Sequence, residues 1–254
     1  IFGDLYYVGD RVVSCHLIDS GEGLILIDSG FPHTARLLEE RIASLGFNAG
    51  DIRYILHTHE HFDHFGASRY LQVKYGCKTF IHRDAAEVFR LHPHHTELQS
   101  SYSPDAALFI PDVELQDGDI VSLGKIRISC IHSPGHSAGA LTFLFDMNHD
   151  GYSLKVGLCG VNGFLPLHPG RLLKYGIPLE TRDRYLKTIE QLRDMDVDIT
   201  LDTHPRPNGL IERRALMLEN PDKNPFIDKT AWNQTLDDYK SRFLGSGGSG
   251  SHGV

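Results

Sequence analysis

The apolar positions of the chain follow two alternating rhythms. In "LYYVGDRVVSCHLIDSGEGLILIDSG" (5–30) short β-branched and aromatic runs are broken by "GD" and "SGEG", which predicts strands joined by turns. The rhythm then changes. In "TARLLEERIASLG" (34–46) the apolar residues Leu37, Leu38, Ile42 and Leu45 recur at helical spacing, with Thr34 as expected N-cap and Gly46 beyond the end. "IRYILH", "ASRYLQVKYG", "KTFIH" and "DAAEVFRLH" continue as strand, helix, strand, helix. The second half repeats the pattern: strands in "DIVSLGKIRISCIH", "ALTFLFD" and "YSLKVGLCG", a helix around "RYLKTIEQLRDM", the strand "DITLDTH", and helices in "IERRALMLE" and "KTAWNQTLDDYKSRF". Two strand-rich halves with interspersed helices predict an α/β chain whose two sheets pack face to face beneath helices on both outer faces.

At 254 residues, 41% hydrophobic and 23% charged, the chain has enough apolar material for one sizeable core without disulfide or metal staples. One domain over 1–244 is expected. The stretch 245–254, "GSGGSGSHGV", has linker composition and is set aside with its His252. The formal charge of −8 gives no basic field for a phosphate backbone, so nucleic acid is not an expected partner. No apolar run approaches the length of a membrane span. The four cysteines, Cys15, Cys77, Cys130 and Cys159, form no C-x-x-C pair, which fits free thiols in a reducing cytoplasm; a signal removed ahead of Ile1 would instead imply the periplasm or secretion.

The chemistry is concentrated in "YILHTHEHFDHFGA" (54–67). After a strand the chain is extended, so His59 and His61, two apart, point to the same side and can offer imidazoles to one ion at about 2.0–2.1 Å. Asp63 and His64 are adjacent and diverge, which suits a second ion beside the first; two metals about 3.5–4 Å apart are what a two-metal hydrolase uses. A helical H-E-x-x-H protease motif is not met, because Asp63 stands where its second histidine belongs and Gly66 opposes a continuous helix. Two distant histidines can join the group. His136 lies in the tight turn "HSPGHSAG", and His204 follows an apolar strand that Pro205 stops.

These motifs resemble the metallo-β-lactamase superfamily, whose H-x-H-x-D-H motif is met by His59, His61, Asp63 and His64. "SPGHSAG" is similar to its later Gly-His turn, and "LILIDSG" to the strand ending in a supporting aspartate, here Asp28. The likeness runs from about residue 5 to 243. It implies a four-layer αββα sandwich, with one metal on His59, His61 and His136 and a second on Asp63, His64 and His204. Asp63 is also the implied catalytic carboxylate, and Asp28 would orient a ligand histidine from outside. The expected cofactor is two zinc ions, with iron or manganese as substitutes, and the expected reaction is attack of an activated hydroxide on an amide, ester or thioester carbonyl of a small molecule. The oligomeric state is not specified.

One departure is informative. Many hydrolytic members have a bridging aspartate in a "GD" pair where this chain reads "KVGLCGVNGF" (155–164), without a carboxylate. Glyoxalase II-like thioesterases and lactonases normally have it, whereas subclass B3 β-lactamases lack it and also resemble this chain at "DTHPRP" and "NPFIDKTAWNQTLDDYKSRF". A B3-like β-lactamase is therefore the leading expectation. The alternatives are a lactonase or thioesterase, a mononuclear iron oxidoreductase like the persulfide dioxygenases, and a metal-binding protein without turnover. His57 reads as a structural residue at a strand end, His132 as a hydrogen-bonded histidine, Cys159 as core, and His92, His94 and His95 as a solvated loop at the mouth of the site. Tyr102, in that loop, is a candidate substrate contact.

Overall fold

A computed structural model describes residues 1–98, 101, 103 and 107–246. In chain order its principal elements are β1 (Leu5–Tyr7), β2 (His16–Asp19), β3 (Leu24–Ile27), α1 (Ala35–Ser44), β4 (Ile52–Leu56), α2 (Phe62–Phe65), α3 (Ser68–Tyr75), β5 (Lys78–His82) and α4 (Arg83–Leu91). There follow β6 (Val113–Leu115), β7 (Ile120–Leu123), β8 (Ile126–His132), β9 (Leu141–His149) and β10 (Tyr152–Cys159). The chain continues with α5 (Pro169–Tyr175), α6 (Thr181–Leu192), β11 (Ile199–Asp202), α7 (Leu210–Glu219) and α8 (Ala231–Ser246).

Strands β1 to β6 form one sheet in sequence order, and the second sheet runs β11-β10-β9-β8-β7. Pairing is antiparallel from β1 to β3 and parallel from β3 to β6; in the second sheet only β10 and β11 run parallel. The core between the sheets takes alternate residues of each strand. Ile25 and Ile27 of β3 meet Phe143, Phe145, Leu158 and Leu201 there. Leu24 and Leu26 face the other way, onto Leu38 and Ile42 of α1 and Leu71 of α3. On the far side of the second sheet, Tyr185 and Ile189 of α6 pack with Trp232, Leu236 and Phe243 of α8. Both faces of the central strands are thus buried, which is why β3 reads as an unbroken apolar run and every residue of β11 is buried. The expected αββα sandwich is the observed fold, and no described helix is long and apolar enough to cross a membrane.

Three local expectations change. Thr34 does not cap α1: its hydroxyl donates to the Phe31 carbonyl (2.9 Å), and the 3-10 turn Pro32–Thr34 leads into the helix. Helix α6 begins at Thr181, ahead of the expected "RYLKTIEQLRDM". Helix α8 runs through Gly245 and Ser246, into the stretch read as linker.

Topology decides where chemistry collects. The parallel strands β3 and β4, and the parallel pair β10 and β11, end at one edge of the sandwich, and the loops leaving them hold Asp28, the 57–64 motif, Val161 and His204. That edge is laced across the sheets: Leu141 N–H donates to Thr58 O (2.7 Å), and Ser14 N–H donates to Thr203 O (2.9 Å).

Candidate metal centre

His59, His61 and His136 form a triangle of rings with all three centroid separations at 4.7 Å. His59 Nε2 and His136 Nε2 are 3.2 Å apart. Beside them, Asp63 Oδ2 lies 3.2 Å from His64 Nε2 and 3.7 Å from His204 Nε2, and the His59 and His64 rings are 4.1 Å apart. In each trio the candidate donor atoms lie within 4.8 Å of one another. His61 has extended backbone as the residue before α2, and the single turn of α2 then rotates Asp63 and His64 away from it. One short segment can therefore serve two adjoining points.

The outward nitrogens explain the inward ones. His136 Nδ1 donates to Gly163 O (2.8 Å), and His204 Nδ1 donates to Val12 O (2.7 Å). His64 Nδ1 donates to Asp28 Oδ2 (2.9 Å). Thr58 Oγ1 gives its proton to Asp28 Oδ2 (2.7 Å) and so accepts from His59 Nδ1 (3.0 Å). Each of these rings has its Nδ1 proton pinned outward, which leaves Nε2 facing inward. Asp28 also accepts from Thr58 N–H (2.8 Å). It does so from a left-handed conformation (φ 58°), tolerable for aspartate, at the sharp turn after β3.

Five imidazoles and one carboxylate converge, a nitrogen-rich donor set that fits zinc and its neighbours and does not fit calcium or magnesium. Burial, together with the positive potential of neighbouring histidines, holds His59 and His136 well below the usual imidazole range. His61 is pushed down to about 3, mainly by burial. Burial alone would raise Asp63, but His64, then His204 and His61, hold it below the ordinary carboxylate range. Burial opposes a charge on His64, yet Asp63 and Asp28 on either side hold its pKa up at about 10. A divalent ion and the Nε2 proton of His64 compete for one lone pair, so metal binding here is linked to proton release.

Two buried carboxylates that sequence reading passed over hold this arrangement. Glu60, between the first two histidines, accepts from Ser137 Oγ (2.9 Å), Ala138 N–H (2.9 Å) and Gly139 N–H (3.3 Å). It clamps the loop of His136 to the segment of His59. That loop is tightly seated: a Cβ at Gly139 would come 2.4 Å from Ala85 Cβ, and one at Gly135 2.6 Å from Tyr185 Cα. Replacing Glu60 by Gln turns an N–H towards one of these donors. The expected cost is about 1–3 kcal/mol in a urea melt, and unchanged stability would show that the clamp is not needed. Asp202 is the second carboxylate. It accepts from Asn162 Nδ2 (2.6 Å), from His204 N–H (3.1 Å) and from the Tyr239 hydroxyl. Its signal was available: like "LILID", "ITLD" is an apolar strand ending in aspartate at the same edge.

The remaining candidates are placed as follows. His57 is buried outside the two trios; its Nδ1 donates to Phe80 O (2.8 Å) and its Nε2 accepts from Ser68 Oγ (2.6 Å). His132 Nε2 donates to Ala138 O (3.0 Å). Cys159 is buried with the α6 and α8 residues, and in the carboxylate-free stretch after β10 Val161 is buried and Asn162 is bound to Asp202. His95 lines the cavity beside His61, as expected of a loop at the mouth. Tyr102 lies outside the described residues.

A family model described as the metallo-beta-lactamase superfamily matches residues 8–149. The chain belongs to that superfamily. Among curated proteins it is similar to a probable metallo-hydrolase of Burkholderia pseudomallei, 30% identical over 154 residues (56% of this chain and 51% of that protein). It is also similar to a hydroxyacylglutathione hydrolase of Haemophilus influenzae, 29% identical over 133 residues (52% of this chain and 60% of that one). The matches thus span about half the length of these curated relatives. Among solved structures, a subclass B3 metallo-beta-lactamase from a soil metagenome library superposes with a TM-score of 0.83 at 28% identity, covering 96% of this chain and 93% of that one.

Proposed function

We propose that the chain is a dinuclear zinc hydrolase acting on amide or ester carbonyls, with β-lactams as the leading substrate class. The observation that supports this reading most is the pair of adjoining trios, His59/His61/His136 and Asp63/His64/His204, next to a carboxylate-free Val161–Asn162. Likeness to a B3 enzyme over nearly the whole chain points the same way. Zinc held there supplies Lewis acidity and lowers the pKa of a water to about 7, which makes a nucleophile available at neutral pH.

The chain's own residues do the rest. Asp63, kept ionised by His64, can accept a hydrogen bond from the attacking water and orient it. On the His204 side a cleft of about 560 Å³ is lined by Arg11, Arg206 and Arg242, a positive surface that suits an anionic substrate group. On the His61 side a cavity of about 200 Å³ is walled by Leu167, Leu172 and Ile177, with Arg171 and Glu97 paired above it. The apolar part of the substrate would occupy this second space.

The zinc-loaded protein is expected to hydrolyse nitrocefin with a higher kcat/KM than it shows for a hydroxyacylglutathione thioester or an acyl-homoserine lactone. Likeness to the hydroxyacylglutathione hydrolase of Haemophilus influenzae makes the thioester the relevant competitor, and preference for it would overturn the substrate assignment. Elemental analysis of protein purified without added metal separates zinc from the single iron of an oxidoreductase.

A further inference from the structure

A second set of histidines converges away from the two trios. His92 precedes the 3-10 turn Pro93–Thr96, which contains His94 and His95, and the ligand nitrogens of all three lie within 4.8 Å of one another. Read as a loop, positions 92, 94 and 95 splay apart. On a 3-10 turn residues i and i+3 eclipse, so His92 and His95 come onto one side. Their rings stack at 5.0 Å and 16°, and the His94 ring lies 4.3 Å from His95. The turn is held by its own bonds: His95 N–H donates to His92 O (2.8 Å), Thr96 Oγ1 donates to Pro93 O (2.6 Å), and Pro93 fixes one φ. Tyr175, ending α5, closes one side, its ring 5.8 Å from His94 and 5.5 Å from His95 and its carbonyl 3.2 Å from His95 Nε2.

We propose that His92, His94 and His95 form an accessory binding site for a transition-metal dication of the zinc class, separate from the dinuclear centre. Three imidazoles with no carboxylate among them select zinc, copper or nickel over magnesium and calcium. Tetrahedral zinc places its ligand nitrogens about 3.3 Å apart at bonds of about 2.0–2.1 Å, so binding draws the three nitrogens, within 4.8 Å of one another, closer together and turns the stacked His92 and His95 rings towards one point. Glu97, the nearest acid along the chain, is occupied by Arg171 and does not draw the imidazoles away. Burial and the two neighbouring histidines lower the pKa of His95, which favours the neutral ring that a metal needs. His92 and His94 are exposed, so the ion has an entry path and a coordination position open to water. His95 also lines the cavity beside His61, so an ion on the turn would stiffen one wall of the substrate space.

Equilibrium dialysis of the full chain against buffered free zinc tests the site. At saturation the wild type should hold one zinc more per chain than H92A/H94A. The H59A/H61A variant should keep that extra zinc while losing zinc from the centre, so failure of the accessory site and failure of the dinuclear reading are separable. The polar variants H92Q and H94Q should each weaken the extra binding without lowering the thermal midpoint, which guards against a folding artefact. Equal zinc contents of wild type and H92A/H94A across the whole titration would overturn the proposal.

Discussion

Replacing His59 and His61 together by alanine is expected to abolish turnover and to strip metal from the triangle they form with His136. The three rings stand 4.7 Å apart pairwise and contribute three of the six converging donors. With two of the three gone, His136 alone cannot hold an ion in place. Loss of a mere supporting partner around a metal costs about 10–100-fold in affinity, and loss of two direct donors should go well beyond that. Hydrolysis should fall to the rate without enzyme, and elemental analysis should show the loss in the same sample. Circular dichroism should be unchanged, because the sheets are built on the apolar cluster between them and not on this edge. Full activity in this variant would end the metal-hydrolase assignment of the site.

Asp28 is expected to give the next largest effect, through stability and metal affinity together. Its buried carboxylate takes protons from Thr58 N–H, Thr58 Oγ1 and His64 Nδ1. Alanine would leave all three donors buried and unpaired, and the positive φ would also strain a side chain that lacks aspartate's tolerance for it. A loss of about 3–5 kcal/mol is expected in a denaturant melt. Asparagine tolerates the backbone and keeps the shape, but its amide must turn an N–H towards His64 or Thr58. The His64 tautomer is then no longer pinned. D28N should fold while binding zinc about 10–100-fold more weakly, as read by competition with a chromophoric chelator. Unchanged zinc affinity in D28N would mean that Asp28 serves the turn alone.

The candidate donors were legible because their spacing is short-range physics. An extended chain puts His59 and His61 on one side, and a following helical turn separates Asp63 and His64 from them. His136 and His204 were visible only as histidines in turns at strand ends, since nothing local says which strand ends share an edge. Glu60 was hidden for a different reason. Its partners, Ser137 to Gly139, lie nearly eighty positions away, and a charged residue between two histidines reads as solvated until burial is known. The 92–95 segment read as a solvated loop at the mouth, and its 3-10 winding, which brings those rings together, is weakly encoded in the sequence.

By itself, then, the chain determined most of its element order, though not β6 or α5, together with the two-sheet α/β class, the H-x-H-x-D-H candidate donor run and the missing carboxylate near Val161, because periodicity, turn chemistry and motif spacing act over a few residues. Only the tertiary structure decided that β3, β4, β10 and β11 end at a common edge, that Glu60 and Asp202 are buried braces rather than surface charges, and that Asn162 is bound to Asp202 beside His204. Those facts depend on pairing between distant strands and on burial. Both arise from packing the whole sandwich, and neither is written in any single segment.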